Sequence, residues 1–199
     1  MNTSLDLLDY RRRVAEIYRS VRQAEASEET WLTWRRSRDE LFTGHPQTPL
    51  ENSQDFTGLS YFRFDPAWRV EGRFVAGEDK QTDIAHSGDG ATGFTRVGVV
   101  DFDLDGRTHQ LEVLWLNSYG GGLFIPFRDS TNGAETYGGG RYLIDTAKGA
   151  DLGQTETGIV LDFNYAYHPS CVHSYRWSCP LAPPSNNLDV AITAGERLH

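Results

Sequence analysis

The hydrophobic period of this chain changes once, near Pro46, and that change constrains the fold more than any other feature. Before Pro46, apolar side chains recur every three or four residues, the spacing of one face of an α-helix. The two stripes are Leu7, Tyr10, Val14, Ile17, Tyr18 and Val21, then Trp31, Trp34, Leu41 and Phe42. Ser27 precedes the second stripe as an N-cap, and Gly44 follows it. The sequence therefore predicts two helices within residues 1–44.

After Pro46, apolar and polar residues alternate, which is the period of a β-strand. Eight segments follow this pattern: 59–64, 68–76, 94–104, 108–116, 123–127, 141–144, 159–163 and 188–192. The third and fourth meet at Asp105 and Gly106, which suit the positive φ angles of a type I′ hairpin turn. Short strands at this spacing are typical of an antiparallel barrel or sandwich.

These periods together predict a mainly β, α+β fold. We expect an N-terminal helical pair, residues 1–44, to pack on one edge or end of an antiparallel β-barrel or sandwich formed by residues 45–199. A chain of 199 residues is long enough for one full hydrophobic core. We therefore interpret 1–199 as a single domain.

Charge and residue usage exclude several classes of partner. The chain carries a net charge of -9 and has a pI near 5.1, whereas nucleic-acid binders display clustered Lys and Arg. No run approaches the roughly 18 apolar residues that cross a bilayer, and the N-terminus lacks the apolar core of a signal peptide. We expect a soluble cytoplasmic protein without nucleic-acid or membrane partners. Its two cysteines, Cys171 and Cys179, are expected to be reduced.

The loop formed by residues 127–141 is the most prominent candidate site. It places two arginines, two carboxylates, a tyrosine and four glycines between apolar runs. In one interpretation, Arg128 and Arg141 clamp an anionic ligand bidentately, and Tyr137 and Tyr142 form the wall of its pocket.

The alternative is that the same two arginines form a buried ion network with Glu135 and Asp162 that only fixes the order of the strands. Asn164 shares a face with Asp162, because side chains alternate along a strand. If the loop is a site, burial raises the pKa of Glu135 or Asp162 and suits it to act as a general acid or base. Both interpretations place the four charged side chains within reach of one another.

A calcium-site pattern lies in the predicted hairpin but lacks the required context. The spacing of an EF-hand loop is matched by Asp101, Asp103, Asp105, Gly106 and Glu112. An EF-hand loop joins two helices, whereas strand-forming residues flank this segment on both sides. We interpret these aspartates as the solvated face of a strand and its turn.

Two histidines and two thiols lie close together in the sequence, at His168, Cys171, His173 and Cys179. They can in principle hold zinc, but their spacing matches no standard finger or ribbon. We therefore predict no metal site and no cofactor. Cys171 is a candidate nucleophile, with His173, or His45 from elsewhere in the fold, as its base.

Several segments resemble one known family, the domain of unknown function family 1684. They are 44–49, 127–129 with 131, 133, 135–137 and 140–142, 162–164 with 166, 167, 169 and 171, 179–181 with 183, 184 and 186, and 194–196. The resemblance implies a soluble bacterial or archaeal protein with an N-terminal helical segment and a β-rich body, and implies no activity. Departures from the pattern occur at Thr48, His168 and Ser185, where serine, asparagine and glutamate are expected.

Three functions remain open from the sequence: an enzyme with acid/base or hydrolytic chemistry on a small polar or anionic molecule, a protein that only binds such a molecule, and a structural or interaction module. The expected partner is a small-molecule ligand, with a homodimer as a further option. Candidate catalytic residues are Glu135, Asp162 and Cys171. Candidate ligand-binding residues are Arg128, Tyr137, Arg141, Tyr142, Asn164, Tyr167 and His45.

Overall fold

Two helices open the chain, as their apolar stripes predict. A computed structural model describes residues 3–199, in which α1 spans Thr3–Gln23 and α2 spans Glu28–Gly44. The Ser27 hydroxyl accepts a hydrogen bond from the Thr30 backbone N–H (3.2 Å), so the predicted N-cap is confirmed. Within the described residues, no helix combines the length and the apolar character needed to span a membrane.

Six antiparallel strands follow the helices. They are β1 (Arg69–Ala85), β2 (Ala91–Leu104), β3 (Arg107–Leu116), β4 (Leu123–Phe127), β5 (Arg141–Asp145) and β6 (Ile159–Asp162), in the order β5-β4-β3-β2-β1-β6. Tyr142, in the edge strand β5, and Tyr167, shortly after the other edge strand β6, exchange two backbone hydrogen bonds (2.9 and 3.1 Å). This bridge brings the ends of the sheet together, so the sheet is a nearly closed barrel. The expected mainly β, α+β class is confirmed.

Two of the eight predicted strands are wrong, and one strand is longer than predicted. Segment 59–64 contributes only an isolated bridge between Tyr61 and Glu196, and 188–192 joins no strand. Both segments nevertheless bury apolar side chains, which lie at alternate positions in 188–192 but three residues apart, at Leu59 and Phe62, in 59–64. The predicted strand at 68–76 continues to Ala85 as an arm paired with β2. Residues 76–81 of this arm are exposed on both faces, whereas Ile84 near its end is buried.

The predicted hairpin about Asp105 and Gly106 is confirmed. Both residues have positive φ, at 49° and 71°, and they join β2 to β3. Asp101 pairs with Arg73 (2.6 Å), and Asp103 accepts a hydrogen bond from the Thr108 hydroxyl (2.6 Å). Two of the aspartates with EF-hand spacing, Asp101 and Asp103, thus have cross-strand partners, and the third, Asp105, lies in the turn.

The barrel interior holds the main core, and the helices close a second one. Buried side chains from five strands and the chain's last segment fill the interior, among them Val100, Leu111, Phe127, Leu161 and Ile192. The second cluster packs α1 and α2 against the barrel, with Tyr18, Trp31, Trp34, Ala150 and Tyr165 at its centre. The Trp31 indole N–H donates to the Asn164 carbonyl (2.9 Å) and fixes α2 on the barrel.

Candidate functional site

Arg141, the centre of the predicted loop site, is entirely buried. Its Nη2 donates to Asp129 Oδ2 (2.7 Å) and to the Ile192 carbonyl (2.8 Å), and its Nη1 donates to the Ala194 carbonyl. Asp129 is in turn held by the backbone N–H of Thr131 (2.7 Å). The guanidinium therefore fastens the C-terminal segment to β5, and its carboxylate partner is Asp129.

The other charged groups of the predicted cluster lie apart from this pair. Glu135 is exposed, and Arg128 is half-buried. Asp162 pairs with Arg69 (3.4 Å) and not with Arg141. The predicted network of Arg128, Glu135, Arg141 and Asp162 is therefore wrong in its pairing. The loop contains a buried ion pair, and this pair joins Arg141 to Asp129.

Asp162 and Asn164 are used in backbone hydrogen bonding. Asp162 Oδ1 accepts from the Asn164 backbone N–H (3.0 Å) and from its side-chain amide (2.8 Å). The Asn164 amide also donates to the Asp65 carbonyl (2.9 Å) and accepts from the Asp65 N–H (3.1 Å). Burial raises the pKa of Asp162, against the lowering effect of Asn164 and Arg69. The pair anchors the segment before β1 to the turn after β6.

The remaining predicted ligand-binding residues have structural contacts of their own. His45 Nε2 faces Asp9 Oδ2 (3.2 Å), and its Nδ1 accepts from the Gln47 N–H (3.0 Å), so it ties the end of α2 to α1. The Tyr142 hydroxyl donates to the Pro180 carbonyl (2.6 Å). Tyr137 lies next to Cys171, with 3.9 Å between the hydroxyl oxygen and Sγ.

The four residues considered for zinc are divided between two environments. His168 and His173 face Glu196, whereas the thiols of Cys171 and Cys179 contact each other. Within residues 3–199, no group of three or more His, Cys, Asp or Glu side chains is arranged to hold a metal ion. The two thiols are free and partly exposed.

A cavity that the sequence did not indicate lies between the helices and one end of the barrel. Its volume is about 300 Å³. One wall is apolar and comes from α1 and α2, with Val14, Ile17, Leu41 and Phe42. The other walls come from the barrel and its loops, with Ala150, Tyr167, His168, Ser170, Trp177, Cys179 and Pro180. Of the residues predicted to bind a ligand, Tyr167 lines this cavity.

Three cationic side chains, Arg11, Arg38 and Lys148, line the cavity. Arg38 lies on the buried face of α2, with its guanidinium over the rings of Trp34 (4.8 Å) and Tyr167 (5.2 Å). Lys148 Nζ pairs with Asp145 (2.9 Å) outside the lining. Within the described chain, the lining contains no carboxylate side chain, although the protein as a whole carries a net charge of -9.

Glu196 lies behind Arg38 and is buried, with 1% of its surface exposed. Arg38 Nη2 donates to Glu196 Oε2 (2.9 Å), which also accepts the backbone N–H of His168 (3.2 Å). Burial raises the pKa of Glu196. The attraction of Arg38, His168 and His173 is larger and lowers the pKa of Glu196 to about 2. The carboxylate therefore stays charged and holds the Arg38 guanidinium in place at the cavity wall.

His168 is neutral at this wall. The Tyr137 backbone N–H donates to its Nε2 (3.2 Å), so the ring proton resides on Nδ1, which faces Glu196 Oε1 (3.7 Å). Burial lowers the pKa of His168 to about 4, outweighing the attraction of the Glu196 carboxylate. Arg38 therefore supplies the buried positive charge of the cavity.

The position of Arg38 in the sequence of α2 is a signal for the cavity. Arg38 follows Trp34 by four residues and precedes Leu41 by three, so it occupies a position in the apolar stripe of α2. A charged residue in a buried stripe indicates a buried partner or a ligand. The partner, Glu196, lies 158 residues away in the sequence, and no periodicity connects the two.

The comparisons with known proteins agree with this fold. A family model described as "Protein of unknown function (DUF1684)" matches residues 54–197. The solution NMR structure of an uncharacterised protein from Haloarcula marismortui is 39% identical, covers 86% of this chain and 94% of that chain, and superposes with a TM-score of 0.63. The search of curated proteins gives no match. Because the family match spans more than half of the chain, the chain belongs to the DUF1684 family.

Proposed function

We propose that the protein binds a small organic anion with an apolar tail in the cavity between α1, α2 and the barrel. The observation that carries the proposal is the composition of the cavity lining. Arg11, Arg38 and Lys148 lie among apolar and aromatic side chains, with no carboxylate in the described lining. In a chain with a net charge of -9, this lining selects for negative charge.

Arg38 is suited to bind the anionic group. Its hydrogen bond to Glu196 engages a single N–H of the five that a guanidinium carries. A carboxylate is bound well by the planar fork of the remaining donors. Because Glu196 and the rings of Trp34 and Tyr167 already orient Arg38, binding costs little side-chain entropy.

The opposite wall suits an apolar tail. Val14, Ile17, Leu41 and Phe42 face the cavity from the two helices. A volume of about 300 Å³ is at the small end of the range for ligand pockets. At about 30 Å³ for each water displaced, it holds a ligand of about ten non-hydrogen atoms. Octanoate has this size and charge pattern and is therefore a suitable probe.

A second, larger cleft of about 550 Å³ between α1 and α2 suits such a ligand less well. Its lining mixes both charges, with Arg13 beside Glu16, Glu29 and Glu40. Carboxylates at the surface of a cleft repel an anion. We therefore assign the ligand to the smaller cavity.

Calorimetric titration with octanoate and octan-1-ol tests the proposal. The two probes share a chain length, but only octanoate can form a charge-assisted hydrogen bond with Arg38, worth about 1.5 to 3 kcal/mol. We expect octanoate to bind at least about tenfold more tightly. Equal affinity of the two probes, or no binding of either at millimolar concentration, would contradict the proposal.

A matched pair of variants locates the binding. Arg11 and Arg12 are adjacent and exposed on α1, and Arg11 alone of the two lines the cavity. Arg11→Ala should weaken octanoate binding about threefold, the magnitude of an exposed ion pair. Arg12→Ala should leave the affinity unchanged. Equal effects of both substitutions would show a general charge effect and would remove the assignment to this cavity.

A further inference from the structure

The two thiols of the chain lie together at the edge of the cavity. Cys171 is in a short 3-10 helix, Ser170–Val172, and Cys179 follows in an extended segment that lines the cavity. The two side chains interact with each other, because Cys179 lowers the pKa of Cys171 and Cys171 raises the pKa of Cys179. Both are partly exposed, so small molecules in solvent can reach them.

Hydroxyl groups complete the surroundings of Cys171. The Tyr137 hydroxyl oxygen lies 3.9 Å from Cys171 Sγ. The Ser87 side chain also forms a hydrogen bond with Cys171. Ser87 Oγ accepts from the Cys179 backbone N–H (3.2 Å), so its own O–H remains free to donate to the sulfur. As a thiol, Cys171 donates to the Tyr137 hydroxyl oxygen, whereas as a thiolate it can accept hydrogen bonds from Cys179, Ser87 and Tyr137.

These contacts favour the thiolate form of Cys171. The hydrogen bonds from Cys179, Ser87 and Tyr137 lower the pKa of Cys171 to about 6, against the effect of its partial burial. Burial and the nearby Cys171 sulfur raise the pKa of Tyr137 to about 12, so its hydroxyl keeps the proton that it donates. Cys179 remains a thiol, because its hydrogen bond to Cys171 and its burial raise its pKa.

We propose that Cys171 is a peroxide-reactive cysteine and that Cys179 resolves the oxidised form into an intramolecular disulfide. The interaction between the two cysteines and the position of the Tyr137 and Ser87 hydroxyls beside Cys171 support this assignment. The reaction needs no ligand in the cavity.

The reaction has two balanced steps. The Cys171 thiolate attacks one oxygen of a peroxide ROOH, the O–O bond breaks, and the alkoxide RO⁻ takes a proton from solvent. The product is a sulfenic acid at Cys171. The Cys179 thiol then attacks the Cys171 sulfur, the S–O bond breaks, and hydroxide leaves and takes the Cys179 proton to form water. Overall, the two thiols lose two electrons and two protons, and ROOH is reduced to ROH and water.

The segment that carries Cys179 is held in position for the second step. The Ser87 N–H donates to the Cys179 carbonyl (2.9 Å), and the Cys179 N–H donates to the Ser87 hydroxyl. These two hydrogen bonds anchor Cys179 to the end of the β1–β2 arm. Neither cysteine lies in a strand. The second step requires the two sulfurs to approach to the disulfide distance of about 2.05 Å.

The test treats the reduced protein with equimolar hydrogen peroxide and follows free thiols and intact mass. We expect both thiols to disappear together, with a loss of two hydrogens, and dithiothreitol to restore them. In Cys179→Ser, Cys171 should stop at the sulfenic acid and be trapped by dimedone. Thiols that persist in the folded protein, or disulfide-linked dimers in place of the intramolecular bond, would overturn the proposal.

A second pair of variants keeps the test valid if the cysteine variants do not fold. Tyr137→Phe removes one donor to the sulfur, whereas Tyr175→Phe makes the same change at an exposed ring. We expect Tyr137→Phe to slow the loss of thiols about threefold and Tyr175→Phe to leave the rate unchanged. Equal rates in Tyr137→Phe and the unmodified protein would show that the hydroxyl does not activate Cys171 and would refute the proposed role of its surroundings.

Discussion

Replacement of His168 by glutamine should reduce the acid sensitivity of this protein. The ring is buried, with 3% of its surface exposed, and its Nε2 accepts the Tyr137 backbone N–H. The side-chain oxygen of glutamine can take over that hydrogen bond but does not titrate. The substitution therefore removes the proton equilibrium and retains the acceptor.

The size of this effect follows from the pKa of His168 in the folded protein and in the unfolded chain. Burial lowers the pKa of His168 from 6.5 in the unfolded chain to about 4 in the folded protein. Between these values the unfolded chain binds a proton that the folded protein does not, so the free energy of unfolding rises with pH. The contribution of the neutral His168 ring to the free energy of unfolding is fully present above pH 6.5 and is lost as the pH falls towards 4. By pH 4.5, the loss is about 2 kcal/mol at about 1.4 kcal/mol per pKa unit.

Urea denaturation at pH 7.0 and pH 4.5 measures this difference. The unfolding free energy of the unmodified protein should fall by about 2 kcal/mol more than that of His168→Gln. Glu196, with a pKa of about 2, loses its own contribution below this range. His199→Gln makes the same change at an exposed ring and serves as the control. Equal losses in His168→Gln and the unmodified protein would refute a neutral, buried His168.

Two further predictions concern the Arg141 loop. Arg141→Met leaves the Asp129 carboxylate buried without its partner, so the unfolding free energy should fall by about 3 to 5 kcal/mol, and adding Asp129→Asn should restore part of it. A decrease in unfolding free energy of less than about 1 kcal/mol, measured by urea denaturation, would contradict a stabilising Arg141–Asp129 ion pair. Gly140→Ala should destabilise the protein several times more than Gly106→Ala. A Cβ at Gly140 would lie 2.6 Å from the Phe127 carbonyl oxygen, whereas a Cβ at Gly106 would contact nothing within 4 Å. Both glycines have positive φ, so similar melting temperatures in the two variants would contradict the clash.

The sequence predicted the elements of the fold where local pattern and tertiary burial coincide. The helices and the β2–β3 hairpin have clear periods and clear end signals, and all of them are confirmed. The segment at 59–64 buries Leu59 and Phe62 without forming a ladder, because the burial of apolar side chains does not require pairing with a strand. The middle of β1, residues 76–81, is exposed on both faces, so it has no alternation to detect.

The site was less predictable, because its residues meet only in the folded chain. The loop at 127–141 correctly indicated a buried arginine at Arg141, but local spacing could not identify Asp129 as its partner in preference to Glu135 or Asp162. The cavity combines two helices with loops more than 100 residues away, and its main charge, Arg38, is paired with Glu196 near the other end of the chain. Such contacts follow from topology and not from sequence period.

A structure of the protein with bound octanoate tests the central claim most directly. We predict that the carboxylate lies within about 3 Å of an Arg38 nitrogen, the distance of a charge-assisted hydrogen bond, and that the alkyl chain contacts Val14 and Leu41. Octanoate bound in the cleft between α1 and α2, or a cavity that stays empty at saturating octanoate, would contradict the account.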